Sequence, residues 1–296
     1  MIFVLSYSGG SEDLGQYIYY YNNGASSPAV GTWSGINIRS DEGWANGAFA
    51  TTEKNMTISV NNSSYGFGTT SKLDLSFISE LRIVATAPGF AGGDYDQAVV
   101  WISPVRSTAT DSNYVIKQDL VTGTNIIDVS SLSGGYYLVI DAASDYSRTL
   151  TVTEIYGVVN SNTQILYYFG DTYENVTGGW TVSGSASLQS GYINCVATAQ
   201  KQANAYTTDL IDLTPFTTLH VTITNVTTDL FIAVPSTIKS TVNATQSGAS
   251  HKMQPTKAGT HTLDISSVNG SRYVWCGNWS ESSNSFGARV TAVWLT

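Results

Sequence analysis

The chain has 296 residues, of which 42% are hydrophobic and only 12% are charged, and its net charge is −9 at pH 7. This composition excludes intrinsic disorder, because a disordered chain combines few apolar residues with a high density of charge. The 13 Lys and Arg residues form no run, which argues against a nucleic-acid partner and against an anionic membrane surface, since both need clustered cations.

The chain begins with MIFVLSYSGG, in which a short apolar stretch has no basic residue before it. The stretch is shorter than the apolar region of a secretory signal and far shorter than a membrane span. We therefore expect synthesis in the cytoplasm without a signal peptide or membrane insertion. Residues 1–16 are expected to form either an arm that pairs with a neighbouring chain or the first edge strand of their own domain.

The first predicted strand recurs later in the chain. YYYNNG (19–24) matches YYFGDT (167–172), and a Trp in a glycine-containing segment follows in both places. Self-similarity at a fixed spacing is the sequence signature of a repeated structural unit. The match therefore predicts that a second copy of the unit begins near residue 161.

The next two predicted segments recur in the same order. TTSKLDLSFISELRIV (69–84) aligns without a gap with TTDLIDLTPFTTLHVT (207–222), an offset of 138 residues. GTNIIDVSSLSGGYYLVI (123–140) aligns with GTHTLDISSVNGSRYVWC (259–276), an offset of 136 residues. Blocks in one order at a near-constant offset indicate a tandem duplication.

Within each copy, apolar and polar residues alternate as in half-buried strands. Leu73 and Leu75 flank Asp74, and the second copy keeps the same parity. Short strands separated by turn residues predict an all-β fold of two tandem antiparallel β-sandwich (jelly-roll) domains related by internal duplication. The predicted domains span residues 17–160 and 161–296.

The segment 123–140 is predicted to be a structural corner between two strands. Asp128, Ser130 and Ser131 supply side-chain oxygens that cap a tight turn. Gly134 allows a backbone conformation that is costly for other residues, and Tyr137 is expected to point into the core. Because both copies keep these residue types, we interpret them as scaffold rather than as a binding motif.

The order of the sequence blocks resembles that of jelly-roll modules in tail, baseplate and fibre proteins of tailed phages. In the first copy the blocks are LDLS, then GT, IDVSSLSG and YYLVI, and then a closing VTEI strand. Such modules are similar in shape to carbohydrate-binding modules. The resemblance covers both copies and implies a virion location. It also implies other virion proteins and further copies of the chain, for example in a trimer, as partners.

No catalytic constellation is evident, so the chain is predicted not to be an enzyme. There is no GxSxG or phosphate-binding loop, and the only tight acidic clusters are SDEGW (40–44) and GGDYDQ (92–97). Each cluster is compatible with a hydrated loop, a structural Ca²⁺ site or part of a sugar site, and the 12-residue Ca²⁺ loop pattern is absent. We predict no cofactor and no metal. The histidines all lie in the second copy: His220, His251 and His261.

Both cysteines, Cys195 and Cys276, lie in apolar strand-like segments of the second copy. Buried free thiols are favoured over a disulfide for a protein made in a reducing compartment. The disulfide stays open as the alternative.

Three aromatic residues occur in Gly- and Asn-rich loop contexts of only one copy: Trp44, Tyr95 and Trp279. A sugar ring stacks its apolar face on an exposed aromatic ring, and neighbouring polar groups bind its hydroxyls. These three residues are the candidate ligand-binding residues, with loop packing or a subunit contact as the alternative. Trp275, within a core-like strand, is predicted to be buried.

Two functions follow from these features. The first is a non-enzymatic bacteriophage structural protein of the tail, baseplate, fibre or head decoration, with a role in host-surface attachment. The second is a carbohydrate-binding protein that recognises bacterial or plant glycans through the exposed loop aromatics. Glycan binding through these aromatics would favour the second function, and the absence of glycan binding would favour the structural one.

Overall fold

The computed structural model describes most of the chain as β-structure. The described residues are 17–22, 33–36, 44–51, 55–92, 95–106, 113–168, 179–189, 191–198, 201–228, 230–280 and 285–296. The predicted N-terminal arm or edge strand, residues 1–16, lies outside them. Two compact units divide the chain, Met1–Ser161 and Asn162–Thr296. No helix in the described part is long and apolar enough to cross a membrane.

Unit 1 contains thirteen described strands in two sheets. They are β1 (Tyr17–Asn22), β2 (Trp33–Ile36), β3 (Ala45–Asn46), β4 (Ala48–Thr51), β5 (Met56–Val60), β6 (Ser63–Thr69), β7 (Leu73–Asp74), β8 (Ile78–Thr86), β9 (Asp96–Ser103), β10 (Ile116–Asp119), β11 (Gly123–Asp128), β12 (Gly135–Ser144) and β13 (Arg148–Val159). One sheet has the order β11-β8-β13-β5-β4, with β1 also on β13. The other has the order β10-β9-β12-β6-β2, with β3 also on β6 and β7 on β12.

Unit 2 contains thirteen described strands and one helix. They are β14 (Gln164–Tyr168), β15 (Trp180–Gly184), β16 (Ser187–Gln189), β17 (Tyr192–Ala197), β18 (Gln202–Thr207), β19 (Ile211–Asp212), β20 (Thr218–Thr224), β21 (Phe231–Ala233), α1 (Val242–Gly248), β22 (Lys252–Met253), β23 (Gly259–Asp264), β24 (Ser271–Arg272), β25 (Trp275–Trp279) and β26 (Phe286–Leu295). The sheets have the orders β16-β17-β26-β20-β23, with β14 also on β26, and β15-β18-β25-β21-β22. A short β19-β24 pair completes the unit.

The two units share one topology, so the predicted all-β duplication is confirmed. Strand β11 pairs with β8 so that Asp128 faces Glu80, and β23 pairs with β20 so that Asp264 faces Thr218. A one-residue slip would have turned the apolar side chains outward, which is why the parity in the sequence predicted the register. Among the described strand pairs, only β3 with β6 is parallel.

The front of the repeat shows where sequence alignment was wrong. Tyr21 faces Ile155 in unit 1, and Tyr167 faces Val293, the residue equivalent to Ile155, in unit 2. The first strands therefore correspond at an offset of 146 residues (21 to 167), whereas aligning YYYNNG with YYFGDT gives 148. A slip of two residues keeps every side chain on its face, so the alternating pattern does not detect it.

The predicted corner is built in the same way in both units. The Asp128 carboxylate accepts hydrogen bonds from the Ser130 hydroxyl at 2.7 Å and backbone N–H at 2.9 Å, and Asp264 accepts the same pair from Ser266. These bonds lower the pKa of Asp128 and of Asp264, because they favour the ionised carboxyl. Gly134 has the expected positive φ, 93°.

The tyrosine that follows the corner does not point into the core. Tyr137 is half-buried and shares a strand face with Val139, which belongs to a small cluster apart from the main core. The Lys72 ammonium lies 5.9 Å from the Tyr137 ring centroid. The prediction of an inward tyrosine is therefore wrong, because strand side chains alternate and the neighbouring buried Leu138 takes the inward position.

The core of unit 2 fills the space between its two sheets. One apolar cluster joins β17, β20 and β26 of one sheet to β18, β21 and β25 of the other. Cys195 and Cys276 both lie in this cluster as free, buried thiols, as predicted. Burial raises the pKa of the Cys195 thiol to about 12 and raises that of Cys276 as well.

Candidate functional site

Four strands of unit 1 bring their loops to one end of the sandwich. In register across the sheet, Ala45 of β3 pairs with Ser63 of β6, Ser63 pairs with Ser144 of β12, and Ser144 pairs with Asp96 of β9. The residues that immediately precede β3 and β9 and follow β12 therefore lie at the same end. We call this region the loop-end site.

Two sequence-predicted aromatic residues meet at the loop-end site. The rings of Trp44 and Tyr95 are stacked, with centroids 6.1 Å apart and an interplanar angle of 13°. Tyr95 is 65% exposed, and a third ring, Tyr146 in the turn after β12, is 62% exposed. The site therefore presents large aromatic surfaces to solvent.

Polar groups flank these rings. The Asp145 backbone N–H donates to the Tyr95 carbonyl at 3.3 Å, which joins the two loops that carry the exposed tyrosines. The Arg148 guanidinium lies 5.1 Å from the Tyr146 ring centroid, and its Nε lies 3.6 Å from the Asp96 carboxylate. The arginine therefore fixes one ring and is itself held by an ion pair.

Two local features position these loops. Gly89 has φ +82°, and a Cβ there would lie 3.0 Å from Arg148 Nε, so glycine lets the loop after β8 approach the arginine. Asn62 turns the chain between β5 and β6 with φ 46°, a conformation that Asn tolerates. The neighbouring Asn61 backbone N–H donates to Ser63 Oγ at 2.8 Å. Both asparagines are exposed at the same end of the unit.

This arrangement has the chemistry of a sugar-binding surface. An exposed aromatic ring stacks on the apolar face of a pyranose, and carboxylate and amide groups bind hydroxyls. Among the described residues, no group of three or more His, Cys, Asp and Glu side chains could hold a metal. The two acidic clusters for which a Ca²⁺ site was one interpretation lie partly outside the described residues, since residues 40–43 and 93–94 are not described.

Sequence reasoning named part of this site and missed part of it. Trp44 and Tyr95 were selected separately, and the structure brings them together. Tyr146 and Arg148 were not selected, because the turn DYSR (145–148) carries no motif and its tyrosine is one of 18 in the chain. The sequence does contain one signal for this turn: Tyr146 and Arg148 occur in the first copy only, and the equivalent turn of the second copy has neither a Tyr nor an Arg.

The third candidate, Trp279, lies in a different setting. It is the last residue of β25 rather than a loop residue, and it is half-buried. Its ring stacks on Phe231 with centroids 5.0 Å apart and an interplanar angle of 11°, within a cluster packed beside α1. Trp275 is fully buried, as predicted, and its Nε1 donates to Asn204 Oδ1 at 3.2 Å.

No family model and no curated protein matches the chain. Solved structures with some similarity include an F-lectin (fucolectin) from the serum of striped bass, Morone saxatilis, at 10% identity and a TM-score of 0.26, with 81% of this chain and 85% of that chain covered. The glycoside hydrolase domain of Endo-D from Streptococcus pneumoniae R6 has 10% identity and a TM-score of 0.27, with 78% of this chain and 37% of that chain covered. A cupin 2 conserved barrel domain protein from Leptotrichia buccalis has 10% identity and a TM-score of 0.19, with 89% and 96% covered. Similarity at these TM-scores carries no argument about function.

Proposed function

We propose that the chain is a non-enzymatic glycan-binding protein and that the loop-end site of unit 1 holds the sugar. The observation that carries the proposal is the stacked Trp44–Tyr95 pair with the exposed Tyr146 beside it. Single exposed apolar residues are common on protein surfaces, whereas here a half-buried Trp44 stacks on an exposed Tyr95, with a third ring in the adjoining turn.

The polar groups around the platform suit a neutral sugar. The Asp96 carboxylate accepts from Ser144 Oγ at 2.7 Å and is paired with Arg148, so its geometry is fixed before a ligand arrives. Preorganised groups bind hydroxyls with less loss of side-chain entropy than mobile ones. The ligand class proposed for this site is therefore a neutral hexose or amino-sugar derivative at the end of a glycan.

A glycan array probed with the full chain, followed by titration calorimetry with the best ligand, tests the proposal. We expect Trp44→Ala and Tyr95→Ala each to weaken binding by about tenfold or more, because stacking on an aromatic ring contributes about 1–3 kcal/mol in comparable contacts. Ile126→Ala is the control, since Ile126 is a large exposed side chain of β11, in the other sheet of unit 1. Equal loss in the control, or binding that Trp279→Ala alone abolishes, would contradict the assignment of the site.

A role as a virion component stays a separate prediction that rests on the resemblance in sequence. It requires assembly with other virion proteins or with further copies of the chain. Light scattering of the purified protein over a range of concentrations measures that self-association. A chain that stays monomeric at high concentration would argue against a self-assembled fibre.

A further inference from the structure

A second surface of unit 1 differs in chemistry from the loop-end site. Lys117 of β10, Trp101 of β9 and Val139 of β12 are paired in one row across the sheet, so their side chains share a face. Trp101 and Val139 form a small apolar cluster, which places this row on the outer face of the sheet. Ser34 of β2 is on the same row, through Gly68 of β6.

The described Lys and Arg side chains of unit 1 that form no ion pair all lie on or beside this outer face. The structure describes five Lys and Arg residues in unit 1, and Arg82 and Arg148 are paired with carboxylates. The other three, Lys72, Arg106 and Lys117, are exposed and lie on or beside this face. Their grouping contrasts with the acidic chain as a whole, whose net charge is −9.

Each of these cations is held in place by a defined contact. Lys117 Nζ lies 5.1 Å from the Trp101 ring centroid, and Lys72 Nζ lies 5.9 Å from that of Tyr137. Arg106 Nε donates to the Thr69 carbonyl at 3.1 Å, and its Nη2 donates to Ser34 Oγ. Cation–π contacts and side-chain hydrogen bonds position the charges while leaving them solvent-accessible. We call Lys72, Trp101, Arg106, Lys117 and Tyr137 the cationic–aromatic patch.

The indole of Trp101, within this patch, has a buried N–H group without a hydrogen-bond partner. Its side chain is 6% exposed, and its buried Nε1–H has no hydrogen-bond acceptor in the structure. A buried donor without an acceptor destabilises the folded state. Two exposed side chains contact this ring: Tyr114, which is 40% exposed, packs edge-on with its ring centroid 5.2 Å away, and Lys117 Nζ lies 5.1 Å from the Trp101 ring centroid. Both side chains are exposed, so a ligand that displaces them gains access to the Trp101 ring.

The second copy lacks this chemistry. By strand register, Leu210 stands at the position of Lys72, and Ala233 at that of Trp101. Lys252 keeps the position of Lys117, but its Nζ donates to the Gln246 carbonyl near the end of α1 at 3.2 Å. The patch is therefore a property of unit 1 and not a requirement of the fold.

We propose that the cationic–aromatic patch binds an anionic saccharide, one that carries sulfate, phosphate or carboxylate groups. The cations pair with the anionic groups, the half-buried Tyr137 ring packs on the sugar, and an acceptor oxygen satisfies the Trp101 indole. A nucleic acid is disfavoured because three cations neutralise few phosphates and the rest of the chain repels a long polyanion. Asp119, on the same face two residues from Lys117, limits the patch on the side toward the loop-end site.

The test measures binding of the full chain to soluble heparin and polygalacturonate at low ionic strength by titration calorimetry, with neutral dextran as the uncharged probe. We expect binding to at least one anionic probe, no binding to dextran at this patch, and loss of binding as salt screens the charges. The triple variant Lys72→Ala, Arg106→Ala, Lys117→Ala should weaken that binding by about 10- to 100-fold.

A matched variant controls for net charge. Lys201→Ala, Lys239→Ala, Lys257→Ala removes the same three charges from exposed positions of unit 2 and should leave binding unchanged. Trp101→Phe keeps a ring but removes the N–H, and it should weaken binding without altering the circular dichroism spectrum. Equal losses in the two triple variants, no binding by the unaltered chain, or equal affinity for a DNA oligomer of the same charge would each overturn the proposal. Trp44→Ala should leave this binding intact, which separates the patch from the loop-end site.

Discussion

The outer faces of the equivalent sheets differ between the two units of the duplicated fold. In unit 2 this face is closed by an apolar cluster in which Trp275 and Phe231 pack beside α1. In unit 1 the same face carries Lys72, Arg106 and Lys117 in solvent. Both copies share the same corners, whereas this face and the loop end differ between them.

The corners show the opposite behaviour. The Asp128–Ser130 and Asp264–Ser266 hydrogen bonds have the same donors, acceptor and lengths within 0.1 Å. They fix the backbone where the chain crosses between sheets, and any loss would disturb both sheets of a unit. The contrast between constant corners and divergent faces leads to four predictions, from the largest expected effect to the smallest.

The largest contrast concerns thiol reactivity, since only unit 2 contains cysteine. Because burial raises the pKa of the Cys195 thiol to about 12, alkylation at pH 8 should be at least about a thousandfold slower in the folded chain than in urea-unfolded chain. The reaction with iodoacetamide, followed by mass spectrometry, measures this ratio. Rapid labelling of either cysteine in the folded chain would mean that the core of unit 2 opens readily, contrary to the structure.

The closed face of unit 2 should matter more to stability than the open face of unit 1. Trp275 is fully buried, and its ring lies against Gly277, where a Cβ would be 2.3 Å from it. Trp275→Ala should lower the free energy of unfolding of unit 2 by about 3–5 kcal/mol through the cavity it leaves. Hydrogen exchange measured by mass spectrometry reports the loss unit by unit.

Val139 occupies the equivalent position in unit 1 and supplies the control. Val139→Ala removes two methyl groups and should cost about 1–2 kcal/mol in unit 1, with unit 2 unaffected. Similar costs for the two variants would show that the closed and open faces contribute alike to stability.

Glycines at the shared corner should instead give equal effects in both copies. Gly134 has φ 93° and Gly270 has φ 79°, and a Cβ at either position would meet nothing within 4 Å. Gly134→Ala and Gly270→Ala should therefore each cost about 1 kcal/mol, from backbone strain alone. Thermal unfolding of the two variants measures this cost. Unequal costs would mean that the corners, unlike their hydrogen bonds, are not energetically equivalent.

Some of these features were predictable from the sequence and others were not. Alternation over residues 81–83 predicted the parity of β8, where Leu81 and Ile83 are buried and Arg82 is not, because a one-residue slip would expose the apolar face. The same prediction at Leu73 and Leu75 was wrong, since Asp74 between them is buried as well. The stack of Trp44 on Tyr95 was not predictable, because it depends on the parallel pairing of β3 with β6, which no local pattern encodes. Helix α1 also escaped prediction, because seven residues capped by Thr241 are too few to show helical periodicity.

Trp279 illustrates a different limit. Its Asn- and Ser-rich neighbours predicted a loop, but backbone pairing with Gln202 makes it the end of a strand. Composition describes the local preference of a segment, whereas pairing depends on a partner strand far away in sequence. The packing of Phe231 and Trp275 beside α1 in unit 2 was not predictable for the same reason.

The smallest predicted effect is a difference between the pKa values of the two corner carboxyls, because a histidine lies near only one of them. Hydrogen bonds from the Ser130 and Ser266 hydroxyls and backbone N–H groups lower the pKa of Asp128 and Asp264, and the electrostatic interaction with His251 lowers that of Asp264 further. Because the folded pKa is depressed, the stabilisation is present above the unfolded carboxyl pKa and is lost as the pH falls through the folded value. Carboxyl titration by nuclear magnetic resonance should show both pKa values below the ordinary 3.8. His251→Asn should raise the pKa of Asp264 slightly and leave Asp128 unchanged, because Ile116 and not a histidine occupies the matching position in unit 1. An equal shift at both carboxyls would refute this electrostatic difference between the two corners.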